Sequence, residues 1–259
     1  MKTFLILTIV QTISLFSYGF ILPLDVILEK NILINGSQII AIEQDVIFKD
    51  GGQELVIHES WLIEGDKNLK LVATGVGELK DAVKIVAIYN GKARTTQVGK
   101  SRVTDAVAPD FFERYLSVRA LGSYKNYLSE LGVAPQVRLS RADGAIAFAI
   151  GQPSAPSALK PQLWFLQDSF QLRKMRFTSG AEISFTDFAV VNPKLDYPKT
   201  KKIEWSGKSV TIKIKSINDK PKVAITQFYP QNVDVPSELV VSNKGALGQL
   251  IEDFYKRFR

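Results

Sequence analysis

The chain has 259 residues, 46% of them hydrophobic, which is enough for one large core. Its net charge is +7, but the basic residues are scattered, and neither an aromatic RNA-binding strand nor a helix-turn-helix pattern accompanies them. The absence of cysteine excludes disulfides, thiolate metal sites and thiol nucleophiles. We expect the densest basic group, Lys199, Lys201 and Lys202, to be a solvated edge that discourages aggregation.

Residues 1–19 have the pattern of a secretory signal peptide. Met1 and Lys2 precede an uncharged apolar run at 3–16, and Ser17-Tyr18-Gly19 is a small-x-small cleavage site. We expect cleavage after Gly19 and export to a bacterial periplasm, which suits an exported domain without disulfides. A membrane anchor is the alternative, but no basic stop-transfer cluster follows the apolar run.

Hydrophobic periodicity divides residues 20–259, the predicted single domain, into helical segments and a long β meander. A short helix at 26–33 is predicted to end near Asn35-Gly36. Runs rich in β-branched and aromatic residues then alternate with Gly- and Asn-containing turns. They predict a sheet of about ten strands. The eleven candidate runs are 40–49, 53–63, 68–74, 83–89, 92–99, 145–150, 162–167, 171–178, 182–191, 200–205 and 209–217.

Two helical segments interrupt and end this meander. A helical insert at 109–131 begins at Pro109-Asp110, has a strongly aromatic face and is predicted to break at Gly122-Ser123. A terminal helix at 246–258 ends in basic residues, including Arg257 and Arg259, that suit the helix dipole. Because so long a sheet must curl, the predicted fold is mainly β (α+β). It is an unclosed β-barrel of antiparallel strands whose concave face is covered by helices.

The strand at 162–167 is apolar on both faces, although a sheet with one wet face should alternate. We expect Leu163 and Phe165 to face the covered concave side. Trp164 and Leu166, on the other parity, should pack against neighbouring chain, such as the terminal helix.

The order and spacing of several short motifs resemble the LolA family of periplasmic outer-membrane lipoprotein carriers and the wider group of lipoprotein-sorting-like proteins. The resemblance covers roughly residues 38–218. Its motifs are Ile42-Glu43-Gln44-Asp45-Val46, Lys49-Asp50-Gly51-Gly52, Ser60-Trp61-Leu62-Ile63, Lys67-Asn68-Leu69-Lys70-Leu71, Tyr89-Asn90-Gly91, Leu163-Trp164-Phe165, Leu172-Arg173-Lys174, Ile183-Ser184-Phe185-Thr186-Asp187-Phe188 and Tyr197-Pro198-Lys199. The chain departs from the family after Trp61, where carriers have a Lys-Arg-Pro turn whose Arg holds the lid shut. Here Glu64 and Gly65 stand at the Arg and Pro positions.

The resemblance implies an apolar cavity between half-barrel and helices that carries acyl chains of lipids or lipoproteins toward the outer membrane. Transfer partners at the inner and outer membranes and a monomeric protein are expected with it. From the residues themselves we predict no metal site, and export argues against a nucleic-acid partner; no cofactor is predicted. The expected lipid-binding residues lining the cavity are Val46, Phe48, Trp61, Ile63, Phe112, Tyr115, Leu116, Phe165, Met175, Phe177 and Phe185. The alternative is a periplasmic interaction or sensor domain whose interior is filled by its own side chains. Lining and filling residues look alike in a sequence. An interior packed solid by its own aromatic side chains would rule against carriage, whereas a void of roughly several hundred Å³ would favour it.

Catalytic chemistry is sparse in this sequence, so we predict no enzyme. His58 is the only histidine, and a single mid-strand histidine is more typical of a packed or edge residue than of a catalytic triad. With no cysteine and scattered carboxylates, no metal-ligand spacing is apparent. Asp168 and Asp187 could pair for sugar hydrolysis, but Asp168 lies in a turn, where aspartate serves the backbone.

Overall fold

The computed structural model describes residues 21–155 and 158–259, so the predicted signal peptide lies outside the described residues. Within these two ranges there are three α-helices, α1 (Leu24–Ile32), α2 (Leu121–Glu130) and α3 (Gly245–Phe258). None of the helices in these two ranges is long and apolar enough to cross a membrane. The strands are β1 (Ile40–Asp50), β2 (Gln53–Ile63), β3 (Asn68–Gly75), β4 (Val83–Asn90), β5 (Ala93–Val98), β6 (Ser101–Ala106), β7 (Val137–Ala142), β8 (Ala145–Ile150), β9 (Gln162–Leu166), β10 (Leu172–Arg176), β11 (Glu182–Asn192), β12 (Leu195–Trp205), β13 (Lys208–Asn218) and β14 (Glu238–Leu239).

All fourteen strands form one antiparallel sheet. Its path runs β6-β5-β4-β3-β2-β1-β13-β12-β11-β10-β9-β8-β7, and β14 pairs with the start of β4. Nearly every neighbour on this path is a hairpin partner, and the long-range pairing of β1 with β13 joins the two halves. The path is open, from β6 at one edge to β7 at the other. The predicted unclosed antiparallel sheet with helices is confirmed.

The two central strands show why the sheet has one covered face. Buried and half-buried residues alternate along β1 and β2, as the two-residue period of a strand requires. Ile42 lies opposite Trp61, and Val46 lies opposite Ile57, so the apolar residues of both strands share the concave face. A slip of one residue would turn all of them outward, and therefore burial sets the register.

The helical insert differs from the prediction. Glu113–Leu116 form a single 3-10 turn, the chain is extended at Ala120, and α2 begins only at Leu121. Gly122 and Ser123, the predicted break, lie inside α2. The break comes earlier because the Ser117 hydroxyl donates to the carbonyl oxygens of Glu113 and Arg114, both at 3.2 Å, and competes with helix continuation.

The sheet also has strands that the pattern did not predict. β6, β7 and β14 are short and polar on at least one face, so their hydrophobic alternation is weak. The outer face of β9 differs from its prediction too, because α3 lies on the concave side and does not cover Trp164. Trp164 instead packs against small residues of the neighbouring β7 and β8, and the cationic groups of Lys174 and Arg176 lie 5.6 and 5.4 Å from its ring centroid. The small residues are Ala142, Ala147 and Ala149.

Candidate functional site

The concave face of the sheet is closed by α2, α3 and the 3-10 turn at Glu113–Leu116. All eleven residues predicted to line a cavity lie in one hydrophobic cluster under this cover, and each is buried. The structure therefore brings the predicted set together. In the described residues these side chains pack against each other and against α3, so the concave face is filled by the protein's own side chains.

Aromatic side chains form much of this interior. Tyr89 and Phe111 stack with ring centroids 4.5 Å apart and planes within 3° of parallel, and Trp61 stacks on Tyr89 at 5.7 Å. On the other side, the Phe112 ring lies 6.3 Å from Phe185. Such pairs add stabilisation beyond the area that they bury.

The terminal helix α3 occupies the centre of the concave face. The Phe254 ring meets Phe48 edge-on at 5.5 Å, and the Phe258 ring meets Trp205 at 5.1 Å. The buried face of α3 also contains Leu247, Leu250, Ile251 and Tyr255. This helix therefore fills the space on the concave face where the sequence predicted a cavity.

A buried carboxylate holds the end of α3. Glu59 is fully buried on β2, and both of its oxygens accept from Arg259, Nε at 2.9 Å and Nη2 at 3.0 Å. The Tyr255 hydroxyl donates to the same carboxylate at 3.0 Å, and the Trp61 indole N–H donates at 3.1 Å. Gln44, directly opposite Glu59 on β1, donates at 2.6 Å. Every lone-pair direction of this carboxylate is thus used.

A second buried ion pair lies beside the first. Lys201 of β12 donates to both oxygens of Glu113, at 2.8 and 2.9 Å, and neither side chain reaches solvent. The Tyr197 hydroxyl donates to Glu113 at 3.0 Å, and Lys201 also donates to Gln44 Oε1 at 3.2 Å. Arg259 Nη2 approaches Glu113 at 3.6 Å, which links the two pairs. Lys201 is therefore not the solvated edge residue that its sequence neighbours suggested.

The pKa values in this network follow from burial and pairing. Burial alone would raise the pKa of Glu59, but the charge and hydrogen bonds of Arg259 lower it below the ordinary glutamate value. Burial lowers the pKa of Lys201, opposed by the carboxylate of Glu113. Burial and the adjacent carboxylates raise the pKa of both Tyr197 and Tyr255. Both tyrosines are therefore neutral donors at physiological pH.

Sequence reasoning missed this network, although a signal for part of it was present. Gln44 and Glu59 fall on the same strand parity as the apolar residues that face inward, and Lys201 shares the parity of Ile203 and Trp205. A polar residue on an inward parity indicates a buried partner. The partner Arg259 is 200 positions from Glu59, and no local pattern connects them.

The turn between β2 and β3 contacts the helical cover. The Tyr127 hydroxyl of α2 donates to Asp66 Oδ2 at 2.6 Å. Arg119, on the segment before α2, lies against Gly65, with its side chain within 3.5 Å of where a Cβ would sit. In this protein the turn therefore supplies the carboxylates, Glu64 and Asp66, and the basic residue, Arg119, lies on the helical side. Glu64, at the position of the carriers' Arg, accepts from Asn68 at 2.9 Å.

Several clefts border the helices. An apolar groove of about 500 Å³ lies between α1 and α2, lined by Leu24, Asp25, Lys125, Leu128, Ser129, Val133 and Pro135. Asp25 and Lys125 form a 2.8 Å ion pair at this groove. Three more clefts, of about 440, 490 and 280 Å³, adjoin α3 on different sides. Helix α3 is therefore packed against the sheet and the segment at 110–112, with clefts beside it.

The single histidine lies on the outer face, away from this interior. His58 Nδ1 lies 3.0 Å from Asp45 Oδ1, and Nε2 lies 2.9 Å from Glu43 Oε2. The Ser60 hydroxyl also donates to Glu43 and not to the histidine, so the three do not form a nucleophile–base pair. Across the described residues, no group of three or more His, Cys, Asp or Glu side chains is placed to hold a metal ion.

Comparison with known proteins shows similarity at the level of the fold. No protein-family profile matches the sequence, and no curated protein matches it. Among solved structures, a LolA superfamily protein from Nitrosomonas europaea is 14% identical, with a TM-score of 0.55 over 77% of this chain and 96% of its own. A putative outer membrane lipoprotein-sorting protein domain from Vibrio parahaemolyticus is 11% identical, with a TM-score of 0.56 over 82% of this chain and 97% of its own.

A DUF1329 family protein from Desulfovibrio piger is also similar, at 10% identity and a TM-score of 0.50, over 79% of this chain and 94% of its own. These matches extend beyond residues 38–218, the part that the sequence motifs cover. The chain therefore has the LolA-like fold, an open curved antiparallel sheet with helices across its concave face.

Proposed function

We propose that this protein is a periplasmic carrier that binds acyl chains of a lipid or lipoprotein between the half-barrel and its helices. The supporting observations are the apolar concave face under α2, α3 and the 3-10 turn, and an apolar groove of about 500 Å³ beside it, between α1 and α2. That volume falls within the range of ligand pockets, roughly 300–1,000 Å³. Each methylene buried there contributes about 0.8 kcal/mol, so a shell of this kind makes an insoluble chain soluble. The role is binding and transfer, not catalysis.

The filled interior supports a second candidate, an interaction or sensor domain that carries no lipid. In the described residues α3 fills the centre of the concave face with its own side chains, which is the arrangement expected of such a domain. The two candidates differ in whether lipid accompanies the protein. Purification from the periplasm, followed by native mass spectrometry and solvent extraction, should find bound lipid if the protein is a carrier. A consistently empty protein that also fails to bind a fluorescent fatty acid would contradict carriage.

Point variants test where the acyl chain binds. Trp61→Glu or Phe185→Glu should abolish binding of the fluorescent fatty acid, because each places a charge on the apolar face, whereas His58→Ala should leave binding intact. Circular dichroism checks that each variant folds. Because buried charges can unfold a core, Leu24→Gln in the groove is a milder variant, and Leu33→Gln, on an exposed apolar residue at the end of α1, is its control. Equal binding by the groove variant and its control would argue against the groove.

A further inference from the structure

Helix α3 has the chemistry of an amphiphile bound by the shell. Its apolar side chains fill the concave face, and at its end the cationic group of Arg259 enters a site formed by Glu59. The guanidinium also lies 5.3 Å from the Trp61 ring centroid and 4.9 Å from that of Phe112. Aromatic faces of this kind attract cations. The concave face is thus occupied by an apolar helix face that has a cation at one end.

If α3 left the concave face, the two buried ion pairs would be affected differently. Lys201 and Glu113 pair with each other and stay balanced without the helix. Glu59 keeps its bonds from Gln44 and Trp61, but it loses both the guanidinium of Arg259 and the hydroxyl of Tyr255. Glu59 is therefore left in the vacated apolar face without its cation, and Asp110 also loses its 3.6 Å salt bridge with Arg257.

The surroundings of α3 allow it to leave as a unit. Clefts adjoin it on three sides. Besides the buried bonds from Arg259 and Tyr255 to Glu59, and the contacts of Arg257 with Asp110, its ion pairs with the rest of the chain are half-exposed. Among them are Lys208 with Asp253 and Lys244 with Glu78, the latter at 2.8 Å. Such ion pairs contribute little to stability. The chain before the helix, from 219 to 244, has only the two-residue strand β14 and 3-10 turns.

We propose that α3 is a removable plug, and that the face beneath it binds an amphiphile with a cationic head group, an amine or a guanidinium placed against Glu59. This inference rests on the proposed function, because it names the class of ligand for the same concave face. When α3 is docked, it competes with the ligand for that face. The apparent affinity therefore falls with the fraction of molecules in which the helix is open.

A crosslink provides the test. Since the chain has no cysteine, Lys208→Cys/Asp253→Cys introduces a unique pair that a short bismaleimide joins, holding α3 closed. Binding of dodecylamine and of dodecanoate, both below micelle-forming concentrations, is measured calorimetrically before and after crosslinking. We expect dodecylamine to bind more tightly than dodecanoate before crosslinking, and to lose about tenfold or more in affinity afterwards. Equal binding in both states, or tighter binding of dodecanoate, would overturn the inference.

Two variants probe the charge separately from the fold. Arg259→Ala removes the internal cation and should raise dodecylamine affinity about tenfold, whereas Glu59→Gln should abolish the preference for dodecylamine over dodecanoate. If Arg259→Ala fails to fold, Glu59→Gln and the crosslink still decide the question. A preference retained in the folded Glu59→Gln variant would contradict the assignment.

Two sources could supply this head group, an aminolipid or an acylated polypeptide with a basic side chain. Dodecanoyl-arginine amide, compared with dodecylamine, distinguishes them, and tighter binding of either supports the inference. Different results would contradict the plug and the proposed carrier function. If the crosslinked protein binds the fluorescent fatty acid as well as the free protein, carriage stands and the plug is wrong; if neither form binds any acyl probe, carriage itself is wrong.

Discussion

Glu59, Glu113, Lys201 and Arg259 lie within an apolar shell, where they form two linked salt bridges. Removing one partner of a buried pair typically costs about 3–5 kcal/mol, because the remaining charge has neither water nor partner. A well-packed apolar replacement of the whole pair is often neutral, so such pairs contribute more to specificity than to stability. Here the specificity concerns α3, since only one docked position brings Arg259 to Glu59.

The outer-face histidine leads to a pH prediction. Partial burial works against the protonated ring, but the carboxylates of Asp45 and Glu43 raise the pKa of His58 above its usual value. Lys215, on β13, forms a salt bridge with Asp45 at 2.9 Å and so adds a positive charge near His58. Because the folded pKa is raised, this contribution to the free energy of unfolding is fully present below the unfolded value of about 6.5 and is lost as pH rises through the folded value.

Accordingly, His58→Gln should destabilise the protein by less than about 1 kcal/mol, in line with half-exposed ion pairs, and only on the acid side of neutrality. Urea unfolding of both proteins at about pH 5.5 and pH 8.5, on either side of the usual histidine pKa, measures this. The matched control is Lys49→Gln, which removes an exposed ion pair that contains no histidine. A difference between wild type and His58→Gln that is the same at both pH values would contradict the prediction.

At the scale of the element, α3 is held mainly by its apolar face. Burying one large apolar side chain contributes about 1.5–3 kcal/mol, so six of them contribute about 9–18 kcal/mol. An acyl chain contributes about 0.8 kcal/mol per methylene, and about 11–22 methylenes would therefore replace the helix. That length is the length of ordinary membrane acyl chains, and a much shorter cargo would not displace α3.

Alanine substitutions at two helical glycines separate the close packing of α3 from the general effect of glycine on helix stability. A Cβ on Gly248 in α3 would meet the Val241 carbonyl oxygen at 2.0 Å, so Gly248→Ala must separate the docked helix from the segment that precedes it. We expect a loss of about 1–3 kcal/mol, as for other overpacked sites. In α2, a Cβ on Gly122 would have nothing within 4 Å, so Gly122→Ala should stabilise by about 0.5–1 kcal/mol.

Urea unfolding gives both free energies, and hydrogen exchange shows whether the α3 amides lose protection in Gly248→Ala. If the two glycine variants had the same effect on stability, close packing at Gly248 would not be what holds α3.

At the scale of the whole molecule, the open sheet leaves two edges, β6 and β7. Exposed edges invite pairing with another chain, and proteins oppose this with charged residues. Edge strand β7 carries Arg138 and Arg141, and β6 carries Arg102. These residues support the prediction that the protein is a monomer.

The edge residues can be tested directly. Arg138→Val/Arg141→Val should promote self-association at high protein concentration, measured by size-exclusion chromatography with light scattering. Lys213→Val/Lys215→Val on β13 is the control, since it removes the same charge and adds the same apolar groups to a strand paired on both sides. If the control associates as strongly, added hydrophobic surface and not the free edge would be the cause.

The sequence by itself determined eleven of the fourteen described strands and the inward parity of the central strands, because these depend on a two-residue period and on local turn chemistry. It also placed α1 and α3 to within two residues. The boundary of α2 was missed, since it depends on side-chain bonds from Ser117 that no periodicity reveals.

Only the tertiary structure decided which element covers which face. It placed α3 inside the shell instead of outside β9, and it joined Arg259 to Glu59 and Lys201 to Glu113 across 200 and 88 positions of chain. Burial removes water from all of the inward positions at once, and a charge there persists only where a distant partner arrives. For this reason, the occupant of the concave face could not be read from the pattern that predicted the face itself.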